Sequence, residues 1–132
     1  MVFRFVLTIL YCLPLFAGGI GFSSDYKASL KRAKSEHKEL LLYLYKDKTS
    51  IKFLKIFKHL KCSNTLKKHF IAVIKNFDAD NSYPVEMFYT RSFPTIFFIS
   101  SKDETLLASP LRGYISSSEF CLKLKESLKS FR

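Results

Sequence analysis

The sequence predicts an α/β domain: a central, mostly parallel four-stranded sheet with an antiparallel edge hairpin and helices on both faces. Three observations lead there. Leu40–Tyr45 and Ile71–Phe77 are short, nearly continuous apolar runs, as expected of strands buried on both faces. The segments between and after them carry apolar residues at helical spacing. A third run, Thr95–Ile99, is followed by a polar turn and a further short apolar stretch, which reads as a hairpin.

Taken in order, Ser23-Ser24-Asp25 offers a cap for a first helix with Tyr26, Leu30, Ala33 and His37 on one face. The first strand follows at Leu40–Tyr45, and Lys46 to Ser50 is a polar break. Phe53, Phe57 and Leu60 recur at three and four residues and predict a second amphipathic helix. Ser63 and Asn64 cap a short turn through Leu66 and Phe70. The second strand, Ile71–Phe77, ends in the turn chemistry of Asp78-Ala79-Asp80-Asn81-Ser82. Pro84 opens a helix reaching Tyr89, since its missing N–H is not needed in a first turn. Thr95–Ile99 and Thr105–Ala108 form the hairpin, and a last helix from Ser116 presents Phe120, Leu124, Leu128 and Phe131.

The 132 residues suffice for one domain preceded by a leader. Arg4, the apolar run Phe5–Phe16 and the small residues Ala17-Gly18-Gly19 have the order of a secretory signal. Residues 1–21 are therefore expected to be a signal peptide and 22–132 the folded domain, exported to the periplasm. The alternative is an uncleaved inner-membrane anchor over residues 5–22. Export leaves Cys62 and Cys121, an even number in an oxidising compartment.

The net charge of +11 bears on partners and solubility rather than on fold. The basic residues are spread along the chain and read as solvated faces, with an anionic envelope surface as the alternative partner. No nucleic-acid partner is expected. His59, Cys62 and His69 lack a fourth ligand at close spacing, so no metal site is expected. Asp78 and Asp80 read as turn residues. No phosphate-binding loop and no Ser/His/Asp arrangement is found, and no cofactor is called for. The sequence carries no signal of oligomeric state.

The order of Phe88-Tyr89-Thr90-Arg91-Ser92-Phe93-Pro94-Thr95, then Gly113-Tyr114 before the last helix, resembles the thioredoxin superfamily. So do Leu42-Tyr43-Leu44-Tyr45 followed by a helix and the Asp-containing end of the next strand. The likeness is to the exported thioredoxin-like domains of bacterial disulfide-interchange proteins, over Asp25 to Phe131. It implies that fold, with a cis peptide bond before Pro94 and a peptide- or partner-binding edge at Phe93, Pro94 and Thr95. It also places the family's two active cysteines at Thr49 and Lys52, its tryptophan at Lys48 and its buried acid at Tyr43. No C-x-x-C occurs in the chain. A hydroxyl at Thr49 and an amine at Lys52 cannot carry a mixed disulfide.

In the family the helices that would hold Cys62 and Cys121 pack on one face of the sheet. Three readings stay open: two buried free thiols, a structural disulfide, or a reactive thiol at Cys62. The leading expectation is a redox-inactive, non-catalytic protein that binds an unidentified peptide or protein partner, or serves as an assembly factor in the cell envelope. One alternative is a protein related to thiol–disulfide oxidoreductases, acting through a monothiol Cys62. The other is a basic module on anionic envelope surfaces.

Overall fold

The structure is a computed structural model that describes residues 21–47, 52–58 and 60–129. Strand β1 (Phe22–Ser23) leads into helix α1 (Tyr26–Glu36), which is followed by strand β2 (Glu39–Tyr45). A 3-10 segment (Phe53–Lys58) and helix α2 (Ser63–His69) connect to strand β3 (Phe70–Asn76). Strands β4 (Thr95–Ile99) and β5 (Leu111–Arg112) precede helix α3 (Ser117–Lys129). The leader expected over residues 1–21, or the anchor over 5–22, lies outside the described residues apart from Gly21.

The five strands pair in the order β1-β3-β2-β4-β5. β2 runs parallel to β3, with Leu42 opposite Val73, and antiparallel to β4, with Leu42 opposite Phe97. β1 pairs parallel with β3, and β5 pairs antiparallel with β4. The mixed α/β sheet flanked by helices is as the apolar runs predict, with five strands in place of four and parallel and antiparallel pairings in equal number. The two edge strands are two residues each and leave no periodic signal in the sequence.

Every residue from Leu40 to Leu44 has an exposure of 0%, so β2 is covered on both faces. Alternation sorts the core into two layers. Leu41, Tyr43, Ala72, Ile96 and Phe98 pack with Phe57, Leu66, Phe120 and Leu124, beneath the 3-10 segment, α2 and α3. Leu40, Leu42, Leu44, Ile71, Val73, Phe97 and Ile99 pack with Tyr26, Ala33, Tyr83 and Phe88, beneath α1. The phenylalanines meet edge-on in the first layer: Phe57 and Phe120 at 5.0 Å between ring centres, Phe70 and Phe98 at 5.7 Å.

Local chemistry explains the ends. Asp25 caps α1, its Oδ1 accepting from the Ala28 N–H at 3.0 Å. His37 closes that helix in the left-handed conformation, φ 56°, with the Lys38 N–H donating to the Ala33 carbonyl. Pro84 starts only one turn, its carbonyl accepting from Met87 and Phe88, and no helix extends to Tyr89.

The hairpin partner of β4 is also not the stretch Thr105–Ala108. Ser100 and Leu107 donate to Thr105 and Phe98 carbonyls, but only Leu106 forms a bridge, with Ile99. Pro110 has no N–H for a ladder, and pairing resumes at Leu111. The segment expected as a second amphipathic helix is wound as 3-10 over Phe53–Lys58.

On the α1 face, Lys75 is buried at 3% exposure. Its Nζ donates to the Ser24 carbonyl, to Asp80 Oδ2 at 2.8 Å and to Ser82 Oγ at 2.8 Å. These bonds tie β1 to the turn after β3. The Lys75 ammonium, and then the Ser82 donors, hold the Asp80 carboxyl well below the usual aspartate range. A folded-state value below the unfolded one, about 3.9, gives stability that is present above about pH 4 and lost as pH falls further. Asp80→Asn is expected to lower stability at neutral pH. The gap to the wild type should narrow progressively as pH falls below about 4, as measured by urea melts.

Candidate functional site

The groups with redox chemistry lie on the α2–α3 side of the sheet. After the 3-10 segment the chain turns at Lys61-Cys62, and the Cys62 carbonyl accepts from the Leu66 N–H at 2.9 Å to start α2. Ser116 and Glu119 fix the start of α3, where the Glu119 N–H donates to Ser116 Oγ at 3.1 Å. The apolar stripe of Phe120 and Leu124 then seats α3 in the core, and Cys121 falls at the edge of that stripe.

Cys62 and Cys121 form a disulfide, with Cα atoms 5.8 Å apart and a sequence separation of 59. Cys62 is buried at 8% exposure, and Cys121 is only half-buried. Of the two residues, Cys121 is the more accessible.

This bond overturns the leading expectation. A disulfide is an oxidised dithiol, so the chain holds a two-electron couple. The step from a missing C-x-x-C to a redox-inactive, non-catalytic chain is corrected: a cysteine pair is present, supplied by two helices instead of one motif. The reading as a relative of thiol–disulfide oxidoreductases gains by the same observation, and Cys121 is the partner of Cys62 in it. The even count of cysteines was the signal for the pair, whereas their meeting depends on how α2 and α3 pack.

Of the positions matched to the family's active site, two lie among the described residues. Tyr43 is fully buried in β2, its ring edge-on to Phe57 at 6.0 Å and to Phe22 at 6.2 Å. Burial, and then Tyr114, push its phenol pKa up. Lys52 is exposed just before the 3-10 segment, and Thr49 and Lys48 lie outside the described residues.

The Phe93–Pro94 peptide is cis. Phe93 stacks on Phe77 at 4.8 Å, with the Lys46 ammonium 5.7 Å from its ring centre. The Pro94 carbonyl accepts from the Gly113 N–H at 2.7 Å, and the Thr95 hydroxyl, buried at 0% exposure, lies 3.0 Å from Thr90 Oγ1. Phe93 packs against the α1-side layer, while Cys62 belongs to the opposite one. The structure thus pairs the two cysteines with each other and does not join them to the cis-proline loop.

Other candidates add less. A concavity of about 850 Å³ beside α1 is lined by Tyr26, Lys75, Asp80, Tyr83 and Glu104, but its polar groups bond one another. Tyr26 Oη donates to Glu104 at 2.9 Å, and burial, helped by that carboxylate, pushes the phenol pKa up. Among the described residues no three His, Cys, Asp or Glu side chains form a metal-holding group. No helix among them is long and apolar enough to cross a membrane.

No family profile matches this sequence, and no curated protein matches it. Solved structures do match its fold. A thioredoxin from Thermus thermophilus superposes with TM-score 0.69 at 15% identity, over 83% of this chain and 88% of that one. A DsbH oxidoreductase gives 0.66 at 20%, over 88% and 89%. A protein described as a putative disulphide-isomerase, from Bacteroides thetaiotaomicron, gives 0.70 at 24%, over 86% and 97%. The fold is thioredoxin-like. At these identities the likeness carries the architecture alone, and the thioredoxin-like sheet here holds its cysteine pair across α2 and α3.

Removing the bond should weaken the domain by relaxing its unfolded chain. In the chain-entropy account a closed loop of this length contributes about 4 kcal/mol. Cys62→Ala with Cys121→Ala is expected to lose a sizeable part of that in urea unfolding, and added reductant should then leave the double variant's midpoint unchanged.

Proposed function

We propose that this chain is an exported thiol–disulfide exchange protein whose exchangeable bond is Cys62–Cys121. The observation that carries the reading is the pair itself: an oxidised dithiol in a thioredoxin-like domain, buried at Cys62 and open to solvent at Cys121. A disulfide persists in oxidising compartments, which agrees with the signal-like order of charge, apolar run and small residues at positions 4–19.

The exchange follows from access and charge. A partner thiolate attacks Cys121 Sγ, the reachable sulfur. The Sγ–Sγ bond breaks, and the Cys62 sulfur leaves with the electron pair as a thiolate. A second thiolate of the partner attacks its own sulfur in the mixed disulfide and releases Cys121 as a thiolate. The partner's dithiol is thereby oxidised to a disulfide, and the pair is reduced to two thiols by two electrons, with two protons taken up. The reverse sequence reduces a partner disulfide. The partner is a protein or peptide thiol.

Mixed-disulfide capture tests this directly. Cys62→Ala keeps the attacked sulfur and removes the resolving one, so it should accumulate a mixed disulfide with a reduced thiol protein under an oxidising glutathione buffer. Cys121→Ala should accumulate several-fold less, because its remaining thiol is buried. The wild type should turn over insulin disulfides when supplied with a reductant. Absence of turnover together with equal, slow capture by both variants would reject the exchange role.

A further inference from the structure

The chain around Cys62 carries one sign of charge. From position 48 to 77 it has eight lysines and no aspartate or glutamate, with Cys62 near the middle, and one of the eight, Lys75, is buried on the α1 face. Lys55, Lys58 and Lys61 are exposed on the 3-10 segment and the turn that leads into Cys62. From the other helix, Lys125 lies one turn beyond Cys121, about 40° round the axis at 100° per residue, and is exposed.

The carboxylates of α3 point elsewhere. By the same geometry Glu119 and Glu126 lie about 160° and 140° from Cys121. Glu126 is moreover paired with Lys123 at 2.9 Å. Among the described residues none of Lys55, Lys58, Lys61 and Lys125 takes part in an ion pair. Asp25, Asp80 and Glu104 cluster by α1, on the opposite side of the sheet.

Resting on the exchange reading above, we infer that the thiol partner of Cys62–Cys121 is an acidic polypeptide segment, with carboxylates flanking the cysteine that attacks Cys121. Unpaired lysines from the 3-10 segment, the turn into Cys62 and α3 raise the local concentration of an anionic chain at the half-buried Cys121. They also oppose the approach of a basic one. The attacking group is itself a thiolate, so the same field favours the approach of the reacting sulfur. The half-buried Cys121 and exposed Leu122, at 68% exposure, give the segment a small apolar seat within the basic rim.

The test compares two cysteine pentapeptides, one flanked by glutamates and one by lysines. Their rates of reducing the oxidised full-length protein are taken per thiolate, after each thiol has been titrated. At low ionic strength the acidic peptide is expected to react about tenfold faster, and 0.5 M salt should remove most of the difference. Lys61→Glu should narrow the gap and Lys58→Glu with Lys61→Glu and Lys125→Glu should reverse it, while Lys31→Glu on α1 should leave it intact. Because the salt dependence is read on the wild type, the result stands even if the triple variant does not fold. Equal rates with equal salt dependence would overturn the inference while leaving exchange in place. Sedimentation with anionic vesicles alongside equal peptide rates would overturn it and assign the basic face to a membrane surface. Failure of both peptides and of a neutral thiol to reduce the folded protein would overturn the inference together with the exchange reading beneath it.

Discussion

Five successive side chains of β2, Leu40 to Leu44, have no exposed surface, and the rest of the structure is arranged to keep them covered. A strand buried on both faces needs a helical layer above and below it. α1 supplies one. The other is assembled from three pieces: the 3-10 segment, α2 and α3. The Cys62–Cys121 bond links two of those pieces, so the layer with the shortest elements is the one closed covalently. Burial of apolar surface supplies most of the driving force, and the bond limits how far the unfolded chain can disperse it.

The same placement explains why the bond can be reached. α3 must turn Phe120 and Leu124 inward, which leaves Cys121 on the flank of the helix, half in solvent. Cys62 ends the turn before α2 and is held under the layer at 8% exposure. A cysteine pair with one sheltered and one open sulfur has an order of events built into it: attack at Cys121, departure of Cys62. The basic surface follows from sequence as much as from fold, because the 3-10 segment and α2 both fall within the acid-free stretch.

Much of this was legible before any coordinates. Leu40–Tyr45, Ile71–Phe77 and Thr95–Ile99 announce buried strands because their apolar runs are continuous, and each lies within a residue or so of an observed strand. The edge strands were not legible, since Phe22–Ser23 and Leu111–Arg112 owe their conformation to β3 and β4. The spacing of Phe53, Phe57 and Leu60 indicated the buried side of the segment but not its 3-10 winding. The disulfide was left open for a physical reason: its partners are 59 residues apart, and no local pattern encodes the packing of two helices. The missing C-x-x-C then weighed too heavily, as if one motif were the only source of a dithiol. The basic face was hidden for another reason. Lysines alone look evenly spread, and it is the absence of carboxylates between 48 and 77 that marks the surface.

The central claim is that Cys62–Cys121 is an exchangeable couple of the folded protein. The most direct measurement is an equilibrium titration of the native chain in thiol–disulfide buffers, with the two oxidation states counted by alkylation and mass, and folding followed in parallel. The account predicts one two-electron transition above about −300 mV, the level below which structural disulfides of secreted proteins typically lie, with the sheet intact on both sides of it. A bond that resists reduction until the domain unfolds would contradict the account and reduce Cys62–Cys121 to a structural link between α2 and α3.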